Sequence, residues 1–88
     1  IIFAYEPRWA IGTGKIPTKS ELEKTIIHIK NVLKKLFKKK NSTVLYGGSV
    51  DVNNVEMFKG IHEIDGFLIG GASKSSKKFI DIIKNYYR

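Results

Sequence analysis

Cysteine is absent from these 88 residues. No disulfide framework can compensate for a thin core, and neither thiol chemistry nor a Cys-based metal site is available. The absence fits a reducing cytosol, and a cytoplasmic location is expected. Long apolar runs are missing too. None approaches the roughly 20 residues that span a bilayer, so no membrane partner is expected. A starting methionine is also lacking: the sequence opens on Ile1, inside an apolar run. That reads as a chain whose true N-terminus lies upstream, where any signal or transit peptide would sit.

Acidic residues are scarce, 8 against 16 Lys+Arg, for a formal charge of +8. The excess is concentrated. Residues 19–40 hold eight lysines and two glutamates, and residues 74–88 hold four lysines and one arginine against one aspartate. A nucleic-acid binder would use such lysines on phosphates. Here Lys34, Lys35, Lys38, Lys39 and Lys40 cluster around an amphipathic helix end with few interleaved aromatics. A basic solvated face is the commoner explanation, and no nucleic-acid partner is expected.

What is present alternates. Ile1 to Tyr5 is a short apolar run with β-branched and aromatic residues, bounded by Pro7. It reads as a strand buried on both faces, as in a parallel sheet. After a loop containing Gly12 and Gly14, Thr18-Lys19-Ser20-Glu21 matches a capping box with Thr18 as N-cap. Leu22, Ile26, Ile29, Leu33 and Leu36 then form one stripe on a helix predicted to end near Lys40. Thr43–Tyr46 reads as a second strand, stopped by Gly47-Gly48, and Asp51 can cap a brief helix ended by Gly60. Gly66–Ile69 reads as a third strand, stopped by Gly70-Gly71. Ser75 or Ser76 opens a last helix with Phe79, Ile82, Ile83 and Tyr86 on one face.

Strand–helix alternation implies parallel strands joined by crossovers. Three parallel strands cannot close a barrel, and an eight-stranded one needs roughly 250 residues. The fold class expected is therefore α/β, a partial (β/α)8 barrel of three parallel βα units, with residues 1–88 the C-terminal part of one domain.

In such barrels the working residues lie at the C-terminal ends of strands. Glu6 comes straight off the first strand. A carboxylate there is expected to be partly desolvated and firmly positioned, conditions that favour a general base. The plainer reading is a rim glutamate in a surface ion pair, and position alone leaves both open. Gly47-Gly48-Ser49 and Gly70-Gly71 each follow a strand and precede a helix. Glycines there let backbone N–H groups approach an anion, although tight turns would also explain them. Gly12-Thr13-Gly14-Lys15 is not a P-loop, because Ile16 stands where Ser or Thr should follow the lysine.

Tyr5-Glu6-Pro7 with Trp9-Ala10-Ile11-Gly12-Thr13-Gly14-Lys15 closely resembles the signature and mobile lid of the triosephosphate isomerase family. Tyr46-Gly47-Gly48-Ser49-Val50 and Asp65 to Ser73 resemble that family's last two strand-loop segments. The three occur in family order and spacing over essentially the whole sequence, so the units correspond to strands 6–8 of a TIM barrel. The resemblance implies interconversion of dihydroxyacetone phosphate and glyceraldehyde 3-phosphate, in glycolysis and gluconeogenesis, without cofactor or metal. Glu6 would shuttle the proton through an enediol. Gly12, Ser49, Gly70 and Gly71 would hold the substrate phosphate. Pro7, Arg8, Trp9, Ala10, Ile11, Thr13, Gly14 and Lys15 would form the lid, with Lys15, Ile16 and Pro17 as its second hinge. Tyr46 and Ser49 would hold it closed. A homodimer is implied for the full-length protein.

Two residues depart from the family pattern. Arg8 stands where a small apolar residue is common, and Pro17 has no N–H to offer Tyr46. The family's substrate-contacting lysine and its electrophilic histidine would lie upstream of Ile1. His28 and His62 are placed to polarise nothing and read as structural. An isolated 88-residue piece is expected to be inactive. The competing readings are another phosphate-binding barrel isomerase or lyase, and a non-catalytic remnant.

Overall fold

The computed structural model describes residues 1–10, 13, 15–38 and 42–87. Its centre is a three-stranded parallel sheet in the order β1-β2-β3. β1 is Ile2–Tyr5, β2 is Thr43–Gly48 and β3 is Gly66–Ile69. Register pairs Ile2 with Thr43 and Tyr5 with Tyr46, then Leu45 with Gly66 and Gly48 with Ile69. The helices follow the strands in turn: α1 is Lys19–Phe37, α2 is Val55–Phe58 and α3 is Ser76–Tyr86. The α/β alternation expected from the sequence is therefore present. Among the described residues no helix is long and apolar enough to cross a membrane.

Because side chains alternate across a strand, the register sorts the sheet into two faces. Phe3, Tyr5, Val44, Tyr46, Phe67 and Ile69 share one face. They pack with Leu22, Ile26 and Leu33 of α1, Val55 and Phe58 of α2, and Ile82 of α3. Rings run through this core in a chain, Tyr5 to Tyr46 to Phe58 to Phe67 to Tyr86, with centroids 5.0–6.4 Å apart. Fully burying each large apolar side chain contributes about 1.5–3 kcal/mol. The other face carries Ile2, Ala4, Thr43, Leu45 and Leu68 and is open: Ile2 is 65% exposed and Leu68 43%. The expected burial of β1 on both faces thus holds for one face only. The helices cover just the side that Phe3 and Tyr5 point to.

Thr18 caps α1 as expected, its hydroxyl accepting from the Glu21 N–H at 3.2 Å. Glu21 reaches back to the Thr18 hydroxyl, which donates to its carboxylate at 2.9 Å, rather than to a backbone N–H. The helix ends at Phe37, with Lys38 in the left-handed region at φ 53°. The predicted end near Lys40 lies outside the described residues. Leu36, assigned to the apolar stripe, is 68% exposed, because the last turn of α1 runs beyond the core.

β2 does not stop before its glycines. Gly47 and Gly48 continue the ladder with Leu68 and Ile69, since a glycine weakens a strand without removing its N–H or C=O. Asp51 nucleates the turn before α2, its carboxylate accepting from the N–H groups of Asn53 and Asn54 at 2.8 and 3.0 Å. Ser75, not Ser76, caps α3, accepting from Lys78 N–H at 3.3 Å. Of the expected α3 face only Ile82 is buried, and Phe79 and Ile83 stay partly exposed. A feature with no local sequence signal ties these layers together. The Asp65 carboxylate accepts from Val44 N–H at 2.8 Å and pairs with Lys30 of α1 at 3.0 Å.

Candidate active site

Three strand ends open on the same side of the sheet. Glu6 leaves β1 on the open face, directly over Gly47 of β2. A Cβ on Gly47 would lie 2.7 Å from Glu6 Cγ and 3.0 Å from its Oε1. The missing side chain is thus the space the Glu6 side chain occupies. Glu6 itself is exposed. The desolvation expected of a strand-end carboxylate is not found here, for a plain reason: Glu6 stands on the face that no helix covers.

The chain after Glu6 turns at once. Pro7 is buried, and Arg8–Ala10 form a short 3₁₀ turn closed by Ala10 N–H donating to Pro7 C=O at 2.9 Å. Ala10 is completely buried, while Arg8, Trp9 and Lys15 are exposed. The Thr13 hydroxyl donates to Trp9 C=O at 2.7 Å and accepts from Lys15 N–H at 3.1 Å. It therefore braces the two arms of the loop. Of the lid residues read from the sequence, Ile11, Gly12 and Gly14 lie outside the described residues, and Gly12 is also one of the expected phosphate contacts.

The loop after β2 grips this segment. The Ser49 hydroxyl donates to Ala10 C=O at 2.8 Å, and Asn54 donates through Nδ2 to Ser49 C=O at 2.8 Å. Ala10 as an anchor and Asn54 as the brace behind Ser49 were not anticipated. An Asn three residues after an Asp is the local hint of the Asx turn that sets Asn54 in place. Tyr46, by contrast, points into the core. Its ring is buried between Tyr5 and Phe58, and its hydroxyl has no hydrogen-bond partner among the described residues. Burial pushes this hydroxyl up from the ordinary 10.0, and Tyr5 adds to the rise.

Because an unmet buried hydroxyl costs free energy, Tyr46→Phe is expected to raise unfolding stability by about 1 kcal/mol at neutral pH. The sign with pH follows from the raised value. Stability from the neutral folded-state phenol is fully present below 10.0 and is lost as pH climbs through the folded-state value. Phenylalanine has no such loss, so the variant's advantage should widen above that pH in denaturant titrations. A variant less stable at neutral pH would mean that the hydroxyl has a partner in solution.

After β3 the chain passes Gly70 and enters a 3₁₀ turn, Gly71–Lys74, held by Ser73 donating to Gly70 C=O through both N–H and hydroxyl. Gly70 sits at φ −88°, and a Cβ on Gly70 or Gly71 would meet nothing within 4 Å. Neither internal crowding nor a left-handed conformation demands glycine at these positions. What the two residues provide is bare backbone facing open space.

That space is a cleft of about 620 Å³, lined by Glu6, Ser49, Asp51, Gly70, Gly71 and Lys78 among others. The structure therefore brings together Glu6, Ser49, Gly70 and Gly71, four residues picked from the sequence, and leaves Tyr46 beneath the sheet. Among the described residues no three His, Asp or Glu converge as a metal ion would need. A carboxylate facing bare peptide groups across a cleft can exchange a proton with a carbon acid whose far end is an anion.

The family model described as "Triosephosphate isomerase" matches residues 1–86. Proteins named triosephosphate isomerase are similar along the chain. One from Borreliella burgdorferi is 49% identical over 88 residues, covering 97% of this chain and 35% of its own. One from Psychrobacter cryohalolentis is 49% identical over 83 residues, covering 93% and 31%. One from Chlamydia abortus is 41% identical over 91 residues, covering 100% and 36%. The chain spans about a third of the length of the curated relatives it matches.

Proposed function

This chain belongs to the triosephosphate isomerase family, and from that premise we propose that it supplies the base and the phosphate loops of a ketose–aldose isomerase acting on triose phosphates. The observation that carries the reading is the convergence of Glu6, Ser49, Gly70 and Gly71, from three successive strand ends, on one cleft. The Glu6 carboxylate takes a proton from the carbon beside the substrate carbonyl, leaving an enediolate. The same carboxylate returns the proton to the neighbouring carbon while the hydroxyl proton passes from one oxygen to the other, so the carbonyl moves by one position with no net oxidation. Backbone N–H groups of Gly70 and Gly71, with Ser49 and Gly12, hold the phosphate. The polarising groups come from the remaining two thirds of the barrel, which also covers the open face and desolvates Glu6.

Residues 7–15 act as the lid. Closure excludes water, which strengthens every interaction with the enediolate and prevents loss of its phosphate. Ser49 bonds the lid segment at Ala10, and that contact supports Ser49 as a lid anchor. Pro17 has no N–H to give Tyr46, so the Tyr46 latch implied by the family is weakened here. The working protein is a cytoplasmic homodimer in this reading.

The test is isomerisation of dihydroxyacetone phosphate by the full-length protein that carries this segment, with the 88-residue chain alone as the second arm. Turnover is expected in the first and none in the second. A well-folded full-length protein without turnover would leave the motifs as a non-catalytic remnant.

A further inference from the structure

We propose that Lys78 is an electrostatic attractor for the substrate's phosphate, a role that rests on the isomerase reading above and adds a charge to it. The cleft has two carboxylates in its lining, Glu6 and Asp51, and among the described residues Lys78 is its only cation. A triose phosphate near neutral pH carries between one and two negative charges. Gly70 and Gly71 give directional N–H groups but no full charge. With Lys78 neutralised, the part of the lining that these residues supply would carry only like charge toward the ligand it must admit. The chain's excess of +8 does not remedy this, because no other lysine or arginine among the described residues lines the cleft.

The state of the neighbouring lysines singles out Lys78. Lys77, one residue before it, is hydrogen-bonded to Asp81 at 2.8 Å, which raises the lysine's pKa and lowers the carboxyl's. Lys30 is paired with Asp65. Lys78 has neither an ion pair nor a side-chain hydrogen bond among the described residues. Its backbone is nonetheless fixed, because its N–H donates to the Ser75 hydroxyl in the first turn of α3. A free ammonium on a flexible stem, rooted at a firm point of the cleft wall, suits a mobile dianion as a point charge. Since Lys78 is exposed, its pull is screened by salt.

The experiment uses the full-length protein and four forms of it: unaltered, Lys78→Met, Lys78→Arg, and Lys77→Met as a control of equal net charge. Inorganic phosphate binding is measured by calorimetry at low and high ionic strength. In Lys78→Met the Kd is expected to rise about fivefold at ~0.02 M salt and by less than about 1.5-fold at ~0.5 M. Lys78→Arg should restore the unaltered value, and Lys77→Met should stay within about 1.5-fold of it. KM for triose phosphate should follow the phosphate Kd while kcat stays level. Phosphate affinity equal in the two methionine variants overturns the proposal, as does no phosphate binding by the unaltered protein. Lys78-dependent phosphate binding without turnover would support the charge and overturn only the isomerase reading.

Discussion

Glu6→Gln in the full-length protein is expected to lower kcat for triose-phosphate interconversion by about 10³-fold, the usual contribution of a positioned base. Glutamine keeps the Cβ, Cγ and branched end of glutamate, so it fills the same space against Gly47. What it loses is the capacity to accept and return a proton. Phosphate binding should stay within about threefold of the unaltered protein, because the role proposed for Glu6 is at the reacting carbons and not at the phosphate. Stability should not fall, since glutamine fills the same space and carries no charge to desolvate when the rest of the barrel covers this face. The check is steady-state turnover together with exchange of the carbon-bound proton with solvent deuterium. Both should fall together. A loss of less than about tenfold would mean that another group does the proton transfer.

The site was legible in outline because the residues that build it are contiguous. Glu6-Pro7, Gly47-Gly48-Ser49 and Gly70-Gly71 are short segments whose chemistry is written in adjacent letters, and each follows a short apolar run. The caps at Thr18 and Ser75 were legible for the same reason, since a cap reaches only two or three residues along the chain. What stayed hidden depends on distance. Nothing near Asp65 points to Val44 or Lys30, yet one carboxylate oxygen serves both. Glycine at 47 and 48 reads locally as a stop, but β3 supplies a partner that keeps the strand going.

Burial is the other quantity that a strand's own residues do not specify. Ile1–Tyr5 is apolar throughout, so its alternation is silent, and only the register shows that Phe3 and Tyr5 face the helices while Ile2 and Ala4 face open space. Leu36 fails for a related reason. Helical periodicity says which way a side chain points, not whether the core extends that far. Lys78 is illegible in the opposite sense. In sequence it is one lysine among many, and only the shape of the cleft separates it from Lys77.

Gly47→Ala is expected to separate activity from stability more cleanly than any change at Glu6. The added methyl needs the space that Glu6 Cγ holds, 2.7 Å from the new Cβ. One of the two must move. Glu6 Cγ belongs to a side chain with rotatable bonds, whereas the Gly47 backbone is held in the ladder with β3, so the carboxylate yields while the strand stays. Stability should therefore change by less than about 1 kcal/mol, helped slightly because alanine loses less chain entropy than glycine. The displaced carboxylate is another matter. A shift of about 1 Å from the reacting carbon costs on the order of 10²-fold in rate, so kcat should fall by that amount with phosphate affinity nearly unchanged. Gly48 gives the contrast: there a Cβ would come within 2.7 Å of Tyr46 Cζ, and that ring is locked in the core. Turnover and denaturant midpoints of Gly47→Ala decide the matter. Full activity would show that Glu6 does not work from the position it holds over Gly47. A large stability loss would show that the strand, rather than the carboxylate, gave way.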